Sequence, residues 1–229
     1  MNDRTISQCR RCGTCCKKGG PALHVEDHFL VRDGKILAKD LFTIRKGEPS
    51  FDNIKRCLAP ATTDIIKIRG VGEKWTCVFF EENTNGCMIY SNRPVECRAL
   101  KCWDTSKIEM IYQADRLTRK DLFSDIRELY DLIREHQNVC SYEKLEIATG
   151  KLDGKERENA LYEIEKIIRF DHHLRSFAVE KGKIDHLMID FLFGRSLLKT
   201  VAAFGISAEM KENRLIIKPK SSGIFYESG

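Results

Sequence analysis

The segment "QCRRCGTCCKKGG" sets Cys9, Cys12, Cys15 and Cys16 within eight residues, and no other feature constrains the chain as much. Four sulfurs this close together need either covalent pairing or a shared ligand. A chain of 229 residues can bury a sizeable core and does not need disulfides to stay folded. The sequence "MNDRTISQC" before the run lacks the apolar stretch of a secretory signal, so a cytoplasmic protein is expected. Thiols stay reduced in that compartment, and ten cysteines there are better explained as metal ligands or redox groups than as staples.

The remaining cysteines sharpen this reading. Cys77, Cys87, Cys97 and Cys102 form a second set, while Cys57 and Cys140 stand apart. Soft thiolates select zinc, iron–sulfur clusters or copper(I) over magnesium or calcium. C-x2-C brings two sulfurs to one ion through a tight turn, which Gly13 helps to make. The side chains of neighbours such as Cys15 and Cys16 are expected to diverge, so one mononuclear ion accepts both poorly. The pair therefore points to two adjacent centres, to a polynuclear cluster, or to a ligand beside a thiol with another task. Eight cysteines would complete two four-sulfur sites. Zinc favours paired short hooks, and only the first half of the set supplies them. C-x2-C-x2-C with a distant fourth cysteine is similar to a ferredoxin-type run, although no proline follows Cys97 or Cys102. Both metals remain open on spacing.

In order along the chain, "CRRCGTCCKKGGPAL", "LFTIRKGE", "IIKIRG" and "CVFFEENTNGCMIYSNRPVECRALKC" resemble the YkgJ-type cysteine-cluster family, defined by CxxCxxCC and described as a zinc- or iron-chelating domain. The resemblance covers residues 7–104. It implies that Cys9, Cys12, Cys15, Cys16, Cys77, Cys87, Cys97 and Cys102 are the metal ligands, with an iron–sulfur cluster of 4Fe–4S type, or alternatively Zn2+, as the cofactor. It implies no catalytic residue and no reaction; whether the protein is an enzyme stays open. Beside Cys97, Arg98 is a candidate to hydrogen-bond a thiolate or offset its charge, and Arg93 and Tyr90 are further candidates.

Other polar groups fit plainer roles. His24 and His28 lie one helical turn apart, but solvated or capping histidines are commoner than ligands. Asp171, His172 and His173, like His186 and Asp190, read as polar helix faces, because no second Glu-x-x-His set accompanies them. A nucleophilic Cys15 or Cys16 would be activated by Arg10, Arg11, Lys17 and Lys18, but those cations also suit a negatively charged cluster.

The expected fold class is α+β. A small, irregular, cysteine-rich metal-binding lobe with short strands (1–104) packs on a helical region ending in a hairpin (105–229). "DGK" at Asp33 suggests a hairpin turn, and "ENTNG" suggests another. Thr118 is placed to cap a helix carrying Leu122, Ile126, Leu129 and Ile133. A second helix runs from Leu161 to Ala178, and a third from Asp185 to Phe204 with Gly205 as its stop. The tail "ISAEMKENRLIIKPK" reads as two strands. The most apolar stretch is broken by Asp185, His186, Asp190, Arg195 and Lys199, so no membrane partner is expected. The expected partners are metal ions and a protein. The net charge of +5, with no aromatics interleaved among the basic residues, argues against nucleic acid.

Overall fold

Among the described residues, short antiparallel strands occupy 41–87, most helices follow them, and a last strand pair at 206–219 packs on the helical core. The computed structural model describes residues 9, 11–212 and 214–219. The helix α1 (His28–Arg32) leads to strands β1 (Leu41–Ile44), β2 (Pro49–Asp52), β3 (Cys57–Pro60), β4 (Ile65–Ile68), β5 (Gly70–Val71), β6 (Thr76–Cys77), β7 (Phe80–Glu81) and β8 (Gly86–Cys87). The helices α2 (Val95–Ala99), α3 (Ser106–Ile111), α4 (Arg119–Phe123), α5 (Arg127–Val139), α6 (Tyr142–Thr149), α7 (Arg157–Glu180), α8 (Ile189–Leu192) and α9 (Leu197–Thr200) follow. The strands β9 (Ile206–Lys211) and β10 (Arg214–Pro219) close the chain as the expected hairpin. The architecture is α+β. Among the described residues the sheets are two-stranded: β1–β4, β2–β3, β5–β6, β7–β8 and β9–β10.

Three apolar clusters hold these parts together. Leu23, Leu30, Leu41, Ile66, Ile68 and Phe80 form one, which also takes Leu117 and Phe191 from the helical side. Ile164, Ile168, Leu145, Leu197 and Ile206 are the centre of the largest, and α5, α7 and α8 enclose the third. Phe191 joins the two ends of the molecule, where its carbonyl accepts the Thr43 hydroxyl at 2.7 Å. Arg119 binds across the same seam, to both oxygens of Asp64 and to the Leu192 carbonyl.

Local signals account for several elements. Thr118 caps α4 in a capping box with Asp121. The expected helix beyond it is divided, because α4 stops at Phe123 and α5 starts anew at Arg127. Asp33-Gly34 ends α1 instead of turning a hairpin: the Asp33, Gly34 and Ile36 amides return to the carbonyls of the helix. The expected continuous helix from Asp185 to Phe204 is broken at Gly194. That residue has φ +73°, and a Cβ there would stand 2.5 Å from Arg45 Cγ. The break frees the carbonyls of Phe193 and Gly194 to accept the Arg175 guanidinium. Among the described residues no helix is long and apolar enough to cross a membrane.

Candidate metal centre

Gly13 sets the shape of the N-terminal run. Its φ of +74° reverses the chain, and a Cβ would fall 2.5 Å from the Phe80 ring, so only glycine permits this approach. The turn then tightens into the 3-10 segment Cys16–Lys18, with the Lys17 amide donating to the Gly13 carbonyl at 2.9 Å. Phe80 belongs to β7, opposite Cys87 of β8, and Cys77 sits in β6 opposite Gly70. The β5–β6 and β7–β8 ribbons therefore carry two later cysteines to the early run, and α2 carries a third, Cys97.

Aromatic and cationic contacts clamp the assembly. The guanidinium carbons of Arg11 and Arg93 lie 4.1 and 3.7 Å from the centre of the Tyr90 ring. Asn85 Nδ2 donates to the Arg11 carbonyl, and Lys17 lies over Phe80. Two sequence stretches separated by sixty residues are thus tied on both sides of the sulfurs.

All eight cysteines of the expected set line one cleft, and all ten in the chain are free thiols. Their charges report how closely they gather. The Cys16 thiol hydrogen-bonds to Cys15 and holds its pKa at about 6 against the effect of burial, with the Arg93 charge assisting. Cys16 is pushed up by the same hydrogen bond, by burial and by the negative charge of Cys15, Cys77 and Cys87. Burial is the first cause that raises Cys77 and Cys97, and Cys15 and Cys87 raise both further. Cys12 is lowered, chiefly by the hydroxyl of Thr14. The inner group is therefore Cys12, Cys15, Cys16, Cys77, Cys87 and Cys97. Cys9 and Cys102 occupy exposed positions on the same cleft.

Cys15 has helical backbone angles, φ −67° and ψ −39°, at the start of the 3-10 turn, and its neighbour Cys16 is the first cause that lowers its thiol. The donor set and its surroundings fit a soft-metal group: thiolates beside the positive charges of Arg11 and Arg93.

The flanking candidates separate. Arg93 donates from Nε to the Tyr90 carbonyl at 2.9 Å and lowers the Cys15 thiol. Arg98 pairs with Glu26 and donates to the Arg93 carbonyl at 2.6 Å. Its guanidinium braces the turn that presents Arg93. Arg10 lies outside the described residues. His24 is buried away from the sulfurs, with its ring between the Ala114 carbonyl and Glu96, and Asp27 accepts the amides of His24 and Val95. Cys57 is exposed on the β2–β3 hairpin.

A second polar group lies in the helical part. His136, Cys140 and Asp171 are buried, with donor atoms within 4.8 Å of one another. Asp171 faces inward, not onto a polar helix face as its sequence context suggests. Burial alone would raise its carboxyl; hydrogen bonding from His136 and the Arg175 charge outweigh that and hold it well below the usual range. Burial lowers His136 to about 4 despite Asp171, so the ring is neutral and donates from Nε2 at 2.7 Å. Burial also pushes the Cys140 thiol up to about 12. Arg175 already supplies the counter-charge in this buried network, and His136 Nδ1 has no hydrogen-bond partner among the described residues. Sequence spacing gave no sign of it beyond the isolated Asp-His pattern.

No curated protein and no solved structure matches the chain. Residues 8–121 match the family described as "CxxCxxCC: Putative zinc- or iron-chelating domain", a span that contains all eight cleft cysteines. Through this N-terminal half the chain belongs to the CxxCxxCC family of metal-chelating domains.

Proposed function

We propose that the protein carries an iron–sulfur cluster of 4Fe–4S type, held by cysteines of both stretches, and that the cluster serves redox or metallocofactor-dependent chemistry on a molecule admitted through the cleft. The observation that carries this reading is the spacing of the inner sulfurs. They are near enough to shift one another's ionisation. Four thiolates on one zinc, with bonds of about 2.3 Å, would stand about 3.8 Å apart. Among the described residues the trio of ligand-type side chains within 4.8 Å is the one around His136, and not a trio of these sulfurs. A polynuclear group holds its thiolates farther apart and can use more than four nearby cysteines.

In this reading the cluster supplies electron transfer or an open iron site. The chain's own residues do the rest. Cys12, Cys15, Cys16, Cys77, Cys87 and Cys97 are the inner candidate ligands, with Cys9 and Cys102 towards the rim. Arg93 and Arg11 offset the negative charge, and Tyr90 fixes both guanidinium groups. A structural zinc site is the second reading, favoured by the two-residue strands β5 to β8, which gain little from their own hydrogen bonds.

Anaerobic purification with metal analysis and a visible spectrum decides between them. A brown protein with several irons and matching sulfide per chain is expected, and Cys97→Ala should lose most of that iron. A colourless protein with stoichiometric zinc would remove the iron–sulfur reading.

A further inference from the structure

The cleft is larger than a metal centre requires. Its volume is about 1570 Å³, whereas pockets for small molecules commonly span roughly 300–1,000 Å³. Its floor is the outer face of the β1–β4 ribbon. The period of two sends Leu41, Thr43, Ile66 and Ile68 into the core and Phe42, Ile44, Ile65 and Lys67 to the other face, where Phe42 is buried against Trp75 and Ile44, Ile65 and Lys67 line the cleft half-exposed. The opposite wall is the β2–β3 hairpin. There Phe51 and Leu58 face each other across the ribbon, line the cleft, and remain 61% and 60% exposed. The hairpin is tied down at its tip: the Asn53 amide donates to the Tyr112 hydroxyl at 3.1 Å, and Gln113 donates to Asp52 at 3.2 Å.

Charge in the cleft is one-sided. Ten of its lining residues are Lys or Arg and three are Asp or Glu, whereas the whole chain has 39 against 34. Several of these cations are already paired: Arg98 with Glu26, Arg195 with Glu48, and Arg116 with Glu96. Lys67 is different. Among the described residues its ammonium has no hydrogen-bond or ion-pair partner. The nearest carboxylate, Glu96, is already taken by the Ala22 amide, His24 and Arg116. An unpaired ammonium in a partly desolvated position, with three apolar side chains beside it, forms a head-and-body recognition surface.

We propose that this cleft binds a small molecule with an apolar body and an oxyanion head, either carboxylate or phosphate. The body lies on Ile44 and Ile65 beneath Phe51 and Leu58, and the head is held by Lys67 Nζ. The inference deepens the reading above, because it supplies the class of molecule brought beside the cysteines. It depends on the cleft alone and holds with either metal.

The test is a titration of the metal-loaded full chain with 8-anilinonaphthalene-1-sulfonate, an aromatic body with an oxyanion head that fluoresces in apolar sites. Saturable binding is expected, displaced by octanoate or octyl phosphate at concentrations at least about tenfold below that of octanol; the better of the two anions identifies the head. Lys67→Met should weaken both anions about tenfold or more and leave octanol unchanged, while Lys67→Arg should retain most of the preference. If Lys67→Met does not fold, the anion-to-octanol ratio on the native protein decides. Absence of saturable binding, octanol competing as well as the anions, or full anion affinity in a folded Lys67→Met would overturn the proposal. A zinc protein that keeps the anion preference would sink the iron–sulfur reading alone, and an iron–sulfur protein that shows none would sink only this one.

Discussion

The cysteine-bearing end and the helical end of this molecule bury polar groups in opposite ways. In the helical end, Asp171 accepts from His136, Arg175 and the Leu197 amide, and Arg175 in turn reaches Asp190 and two carbonyls. That network is satisfied by protein groups, save for His136 Nδ1, and sits beside a continuous apolar core along α7. Around the cleft, the side chains brought together are sulfurs, on strands of two residues and on turns. Isolated two-stranded ribbons are marginal in water. Apolar burial therefore holds both ends, through the cluster of Leu23, Leu30, Leu41, Ile66 and Ile68 in one and the core along α7 in the other, and the cysteine-bearing end adds a donor set that a metal would cross-link. The contrast teaches that the two ends differ in what completes their polar groups: protein partners in one, and a soft-metal donor set in the other.

The largest expected effect comes from removing metal. Anaerobic chelation should abolish amide-exchange protection across the β5–β8 ribbons and leave α7 protected. Loss of protection in both together would break the contrast. Next, Asp171→Asn removes the buried charge between His136 and Arg175, leaves Arg175 only the more exposed Asp190, and should cost about 3–5 kcal/mol. Chemical denaturation reads this, and the metal content should not change.

A smaller effect follows from pH. The His136 pKa is lower in the folded state, about 4 against 6.5, so the unfolded chain takes up its proton first as pH falls. The stabilising contribution is complete above pH 6.5 and declines as pH drops towards 4, by about 3 kcal/mol in all. Asp171, lowered in the folded state, acts in the same direction at still lower pH. Urea midpoints measured between pH 7 and 4 test this, and stability that rose on acidification would contradict it. The smallest effect is expected for Cys57→Ser. Its side chain is exposed on β3, so metal content should stay constant and stability should move by less than about 0.5 kcal/mol.

Features set by near neighbours were legible in the sequence. The Thr118 cap, the long apolar repeat of α7, the "ENTNG" turn and the terminal hairpin depend on residues a few positions apart. Those set by distant contacts were not. The break at Gly194 follows from Arg45 packing against it, across a separation no periodicity records. His136 shows no sign of burial until α5 is laid on α7. The helical turn that carries Cys15 into Cys16 follows from Gly13 packing on Phe80, sixty-seven positions away. Arg93 and Arg98 are both near Cys97 in sequence, and only the position of Tyr90 and Glu26 separates their tasks.

The sequence by itself determined the chemistry available: ten reduced-type thiols, eight of them in a spacing that selects soft metals, on a chain long enough to fold around them. Ligand type is a property of residue identity, and a string of letters records it in full. The tertiary structure decided that sulfurs from two stretches border a single cleft, and that Lys67 stands in it without a partner. It also decided that the acidic group on α7 is locked inside the protein. Those outcomes depend on which distant surfaces exclude water from one another, and that is settled only when the whole chain packs.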